Sequence, residues 1–228
     1  MKLRNIILLS AATMALASCD DLFEPANENN QDISAMYKDA DFARGVLDNA
    51  YLVLPYSDMP TSDLATDDAV SNDANSNYKK MALGAWASDM NPVNRWEDAF
   101  HAIQYCNLMI ANADKVAWSY TDASVNQMFV DNYLGNAYAL RGLHHFYALR
   151  AHAGMVEQNG ELMGIPMHLE YVDGNADFNE ARLTFKECYD MIMADWNKAL
   201  EYLPEQYKSI SDASQLPAKY SSIGADIT

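Results

Sequence analysis

Basic residues are scarce in this 228-residue chain: 15 Lys plus Arg stand against 32 Asp plus Glu, a formal charge of −17. Nucleic-acid phosphates need clustered Lys and Arg, and anionic lipid headgroups attract basic patches, so both are disfavoured as partners. Glycine (9) and proline (7) are few as well, which excludes collagen-like and proline-rich linker architecture. Nothing beyond the N-terminus is long and apolar enough to cross a bilayer as a helix. Gly-x-Ser-x-Gly, P-loop, dinucleotide-binding and His-Glu-x-x-His patterns are all missing. What remains is 50% hydrophobic and 11% aromatic, enough to bury a core in one domain or two.

The acid is concentrated early. Residues 20–75 hold thirteen Asp or Glu and two basic residues, Lys38 and Arg44. A solvated face is the simplest reading of such a stretch. A calcium loop is disfavoured, because Asp67, Asp68 and Asp73 lack the turn Gly and closing Glu that such a loop needs.

The N-terminus has the form of a lipoprotein signal. Lys2 and Arg4 precede an apolar run from Ile6 to Ala17, too short to span a bilayer. The run ends Leu16-Ala17-Ser18-Cys19, an aliphatic residue, two small ones and a cysteine, which resembles the bacterial lipobox. Residues 1–18 are thus expected to be a signal peptide and Cys19 the lipidated N-terminus, held by several acyl chains at about 0.8 kcal/mol per buried CH₂. Loss of Lys2 and Arg4 with the signal leaves the chain nineteen units negative. Residues 19–33, rich in Asn and acid, read as a tether, and residues 34–228 as the folded domain. Of three cysteines, Cys106 and Cys188 remain after acylation; both fall within apolar helical patterns and are expected as buried free thiols.

Periodicity predicts an all-α body. Phe42, Val46, Leu47, Ala50, Tyr51 and Leu54 repeat at three and four over 39–54, with Asp39 as N-cap and Pro55 as the stop. A second helix is expected from about Pro92 or Val93 to Ala113; its stripe is Trp96, Phe100, Ile103, Asn107 and Ile110, with Ala99, Ala102, Cys106 and Met109 beside it. That places Trp96 and Phe100 in the core, and Trp196 by the same reasoning. A third helix spans about 122–152, ended by Gly154. A fourth opens on a capping box, Thr184 and Glu187, and closes at Pro204. Residues 217–228 begin a possible fifth. The connections 55–91 and 154–182 are long for a bundle, and loops of that length are usually functional.

These helices resemble the SusD/RagB family of outer-membrane nutrient-binding lipoproteins. The resemblance rests on Ala137-x-x-Leu140-Arg141-Gly142 followed by Gly164-Ile165-Pro166; on Trp96, Ile103 and Asn107; and on Arg182, Thr184, Asp195, Ala199 and Leu203-Pro204, with Trp196 where Leu is usual. The lipobox and Asp20-Asp21, similar to the acidic export signal of Bacteroidetes surface lipoproteins, fit the same pattern. It implies tetratricopeptide-like helix pairs with long loop excursions, placed on the cell surface over a SusC-like TonB-dependent transporter. Such proteins capture oligosaccharides, or peptides in some members, without catalysis and without a cofactor. The chain stops near the middle of the family's length, so the resemblance covers an N-terminal portion.

Glycan capture calls for aromatic faces and amide groups. Within the 55–91 excursion, Trp86 is the candidate stacking platform, with Tyr78, Asn75, Asn77 and Asn91 as further ligand candidates. Arg141, inside an apolar helix, is expected to bridge carboxylates or carbonyls. A metal site is not expected: His145 and His152 share a face but stand about 10 Å apart along the axis. Two other readings stay open, a tetratricopeptide-like scaffold for protein partners and a helical glycoside hydrolase. The latter needs a carboxylate pair that sequence alone does not single out.

Overall fold

The computed structural model describes residues 33–54, 61–85, 95–119, 123–172 and 179–204. The chain divides into residues 1–35 and 36–228, and the helical body belongs to the second unit. Its elements are α1 (Ala40–Leu52), α2 (Asn77–Ala82), α3 (Trp96–Asn112), α4 (Ala123–His152), the strands β1 (Glu157–Gln158) and β2 (Glu161–Leu162), and α5 (Phe185–Tyr202). The calls on Cys19, the tether, Trp86, Asn91 and residues 217–228 lie outside the described residues.

Local sequence sets the helix ends. Asp39 caps α1 by accepting the Phe42 N–H at 3.0 Å, which satisfies one of the first-turn donors. At α5 the expected capping box forms: the Thr184 hydroxyl accepts from the Glu187 N–H, and the Glu187 carboxylate accepts from the Thr184 N–H at 2.8 Å. Gly154, at φ +79°, takes the left-handed conformation after α4 and donates its N–H to the Met163 carbonyl. Helix α3 begins at Trp96, later than the periodicity suggests, because Arg95 has left the helical region at ψ 7°.

Packing follows pairs. Helix α4, 30 residues and about 45 Å long, lies between α3 on one side and α5 on the other, and α1 packs on α3. Contacts run in opposite senses along the pairs: Phe100 meets His145 where Asn107 meets Arg141, and Arg141 meets Asp195 where Tyr138 meets Tyr202. Both pairs are therefore antiparallel, the tetratricopeptide-like arrangement expected. The wide apolar face of α3 is used as predicted, with Ala99, Ala102, Ile103, Cys106 and Met109 all buried. Cys106 and Cys188 are buried free thiols, and burial raises the pKa of both. The imidazole of His144 bonds the Ala50 carbonyl at 2.9 Å and the Tyr51 hydroxyl donates to Asn136 at 2.7 Å, tying α1 to α4.

The connection after α4 is ordered by a hairpin and a strap. Asn159 (φ 54°) and Gly160 (φ 83°) turn β1 back onto β2, the double positive-φ geometry that twisted hairpins favour. Residues 163–172 then run extended. Gly164 donates to the Leu183 carbonyl and Leu183 donates back to Ile165, so the strap starts as a strand-like partner of the segment entering α5. A Cβ at position 164 would collide with the Cys188 sulfur and the Leu183 and Thr184 carbonyls; glycine there permits the close approach. Ile165 and Met167 join the cluster of Ala99, Ala148, Leu149, Cys188 and Ile192.

Candidate functional site

A cleft of about 510 Å³ opens beside the N-terminal half of α3, within the range of small-molecule sites. Trp96, Phe100, His101 and Gln104 line it from α3, Pro166, His168 and Val172 from the strap, and Asn179 and Glu180 from beyond it. The helical residues follow from spacing: positions 96, 100 and 104 lie one turn apart on a single face. The strap residues follow from extension, since alternate side chains point to opposite sides. Ile165 and Met167 enter the core while Pro166 and His168 line the cleft.

Trp96 corrects the expectation of a core role, whereas Phe100 packs against the core cluster as expected and also lines the cleft. Trp96 is 38% exposed and Phe100 is half-buried. The reason is position along the helix. Trp96 is the first residue of α3 and stands edge-on to His152, the last residue of α4, at 5.3 Å. Where its neighbour ends the ring is only partly covered by α4. Phe100 packs at 4.7 Å on Trp96 and edge-on to His168 at 5.0 Å. Trp196 is half-buried against the core cluster and donates its ring N–H to the Ala139 carbonyl at 3.3 Å.

The polar wall faces these rings. His168 Nδ1 lies 3.5 Å from the Glu180 carboxylate, and the Gln104 amide donates to the Val172 carbonyl. On the α4 side the Arg95 N–H donates to His152 Nε2 at 3.3 Å, and Arg182 donates to the His152 carbonyl at 2.6 Å. Burial and the Arg182 charge depress the His152 pKa, so this imidazole works as a neutral acceptor. Apolar ring faces opposite imidazole, amide and carboxylate groups suit a polyhydroxylated ring, which has an apolar face and a rim of hydroxyls. Glu180 is the one carboxylate lining the cleft among the described residues. No three His, Cys, Asp or Glu converge as metal ligands among the described residues.

Behind the cleft lies a buried polar network. Arg141 grips Asp195 through two hydrogen bonds, Nε at 2.8 Å and Nη2 at 2.6 Å, with both side chains under a tenth exposed. Its Nη1 donates to the Asn107 side-chain oxygen at 2.8 Å and to the Leu169 carbonyl at 2.7 Å. Asn107 in turn donates to the carbonyls of His168 at 3.1 Å and Glu170 at 2.9 Å. Arg141 bridges a carboxylate and a backbone carbonyl, as expected. Deeper still, His145 is fully buried, and neither ring nitrogen has a well-formed hydrogen bond among the described residues. Burial, reinforced by the Arg141 charge, lowers its pKa to about 3.

Three of the five ligand candidates read from sequence lie among the described residues. Asn75 and Asn77 are exposed at the start of α2, where the Asn75 N–H donates to Asp73 and Lys80 donates to Asn77 at 3.5 Å. Tyr78 is half-buried in the same turn. None of the three lines the cleft. Sequence reasoning missed His101, Gln104, His168, Asn179 and Glu180 as site residues. For Gln104 a signal existed, its place one turn after Trp96 and Phe100, beside the stripe that was drawn through Ile103; His101 and the loop residues carry no such local signal.

The architecture is that of an all-α, tetratricopeptide-like protein whose long connections carry a cleft. The chain belongs to the SusD-like family: the family model described as starch-binding associating with outer membrane matches residues 21–224. Solved structures with the same fold include a SusD-like protein of Bacteroides fragilis, 20% identical with TM-score 0.59, covering 81% of this chain and 33% of the other. A SusD-like carbohydrate-binding protein of Bacteroides vulgatus is 18% identical, with TM-score 0.55 and coverages of 77% and 38%. A protein of Bacteroides vulgatus described as sugar-binding is 20% identical, with TM-score 0.52 and coverages of 76% and 39%. The chain thus spans little more than a third of the length of these structures. No curated protein matches it.

Proposed function

We propose that the chain is part of a non-catalytic, cell-surface lipoprotein that binds nutrient oligosaccharides and passes them to a SusC-like TonB-dependent transporter in the outer membrane. The observation that carries the reading is the cleft, lined by the Trp96 and Phe100 rings on one side and by His168 and Glu180 on the other. Membership of a family described as starch-binding, and structural neighbours described as carbohydrate- or sugar-binding, support a glycan as the ligand. The lipobox at Cys19 supports anchoring, with residues 1–18 as signal, 19–33 as tether and 34–228 as the binding domain. Trp86, Tyr78, Asn75, Asn77 and Asn91 extend the ligand-facing surface from the first excursion in this reading.

Calorimetric titration with maltoheptaose, soluble starch and a panel of plant and host glycans tests it. Saturable binding of at least one glycan, with no reducing ends released during overnight incubation, is expected. Hydrolysis would convert the reading to that of a glycosidase, and binding of protein partners alone to that of a scaffold. Cys19→Ala is expected to move the protein from the membrane fraction to the soluble one.

A further inference from the structure

The buried network and the cleft share one piece of backbone. From 168 to 172 the strap makes no backbone–backbone hydrogen bond among the described residues. Its carbonyls are instead taken by side chains: 168 and 170 by Asn107, 169 by Arg141, and 172 by Gln104. Three consecutive carbonyls are thus held from below by two side chains on neighbouring helices. The same residues carry His168 and Val172 to the cleft.

The network also has a direction. Asp195 engages the guanidinium at two nitrogens, which fixes its plane. Arg141 Nη1 then points at Asn107, and because the Asn107 oxygen accepts from it, the amide nitrogen must face the strap. A plain stability role explains this poorly. Burying an ion pair carries a large desolvation penalty, and apolar residues of similar volume stabilise a core as well or better. An apolar core, however, offers no donors to an irregular segment whose carbonyls need partners.

We infer that Asn107 and Arg141, with Asp195 behind them, are positioning residues that set the wall of the cleft by holding the 168–170 carbonyls. The inference rests on the reading of the cleft as a glycan site only for its functional consequence; the placement of the strap is independent of it. None of the three residues lines the cleft, so an effect on binding must pass through the strap.

Asn107→Asp is the decisive substitution. It keeps the acceptor for Arg141 and replaces the donor with a carboxylate oxygen facing two carbonyls. Asp195→Asn keeps side-chain volume and loosens the guanidinium, and serves if the first variant fails to fold. Two readouts apply: affinity for maltoheptaose, or for the tightest glycan of the panel, and the NMR shift of the His168 ring protons, which lie under the Phe100 ring edge-to-face contact. With the helical circular-dichroism signal retained, affinity should fall at least tenfold and the His168 resonance should move toward that of free histidine. An unmoved His168 resonance in a folded variant overturns the inference, whether or not affinity changes. If the unsubstituted protein binds no glycan, a moved resonance in the variant still supports the positioning role, and it is the glycan reading of the cleft that is overturned.

Discussion

Two buried polar side chains on α4 behave in opposite ways because their partners differ. Arg141 has its donors spoken for by Asp195, Asn107 and Leu169, so its charge is compensated where it lies. Arg141→Ala leaves the Asp195 carboxylate buried and unpaired, and about 3–5 kcal/mol of stability should be lost in urea denaturation. His145 has no such partners and stays neutral, with its pKa lowered to about 3. An unfolded histidine titrates near 6.5, so below that pH the unfolded chain takes up a proton the folded one refuses. Stability should therefore fall on acidification from about pH 6.5 towards pH 3, by up to about 1.4 kcal/mol per pH unit from this group alone. His144, lowered mainly by burial, acts in the same direction. Urea midpoints at pH 7.5 and 4.5 check this, and His145→Leu should reduce the difference between them.

At the scale of elements, capping and close approach decide where helices begin and how near they lie. Thr184 and Glu187 satisfy donors at the start of α5, and Thr184→Ala should lower stability by about 1 kcal/mol, read from the shift in urea midpoint at unchanged slope. The four longer helices, the capping box and the Gly154 stop were legible in the sequence, because each depends on neighbours within a turn; α2, expected as loop, was not, since six residues capped by Ser76 are too short to show an apolar period. The expectation that Asn107, Arg141 and Asp195 belong to one pattern was legible only as a resemblance; that they form one hydrogen-bonded chain depends on three helices meeting. Trp196 in place of Leu is likewise explained only in three dimensions. A Cβ on Gly142 would lie 2.6 Å from its ring nitrogen, so the larger ring is accommodated by the missing side chain opposite. Trp96 misled for the converse reason. Periodicity gives the face of a helix but not where its neighbour stops.

For the molecule as a whole, the acidity that disfavours nucleic acid says little about what is bound, and the cleft says more. Its walls come from an amphipathic helix and from a strap whose position no local pattern encodes, which is why the site residues named from the first excursion and those lining the cleft differ. Family membership over residues 21–224 and the cleft between α3 and the strap together make glycan binding the central claim. The most direct measurement is calorimetric titration of Trp96→Ala and unsubstituted protein with the best-binding glycan. Removal of the ring should weaken binding by about tenfold or more in a variant whose helical circular-dichroism signal is retained, with some loss of thermal stability from its contacts with Phe100 and His152. Equal affinity in the two proteins would contradict the account and return the ligand site to the first excursion.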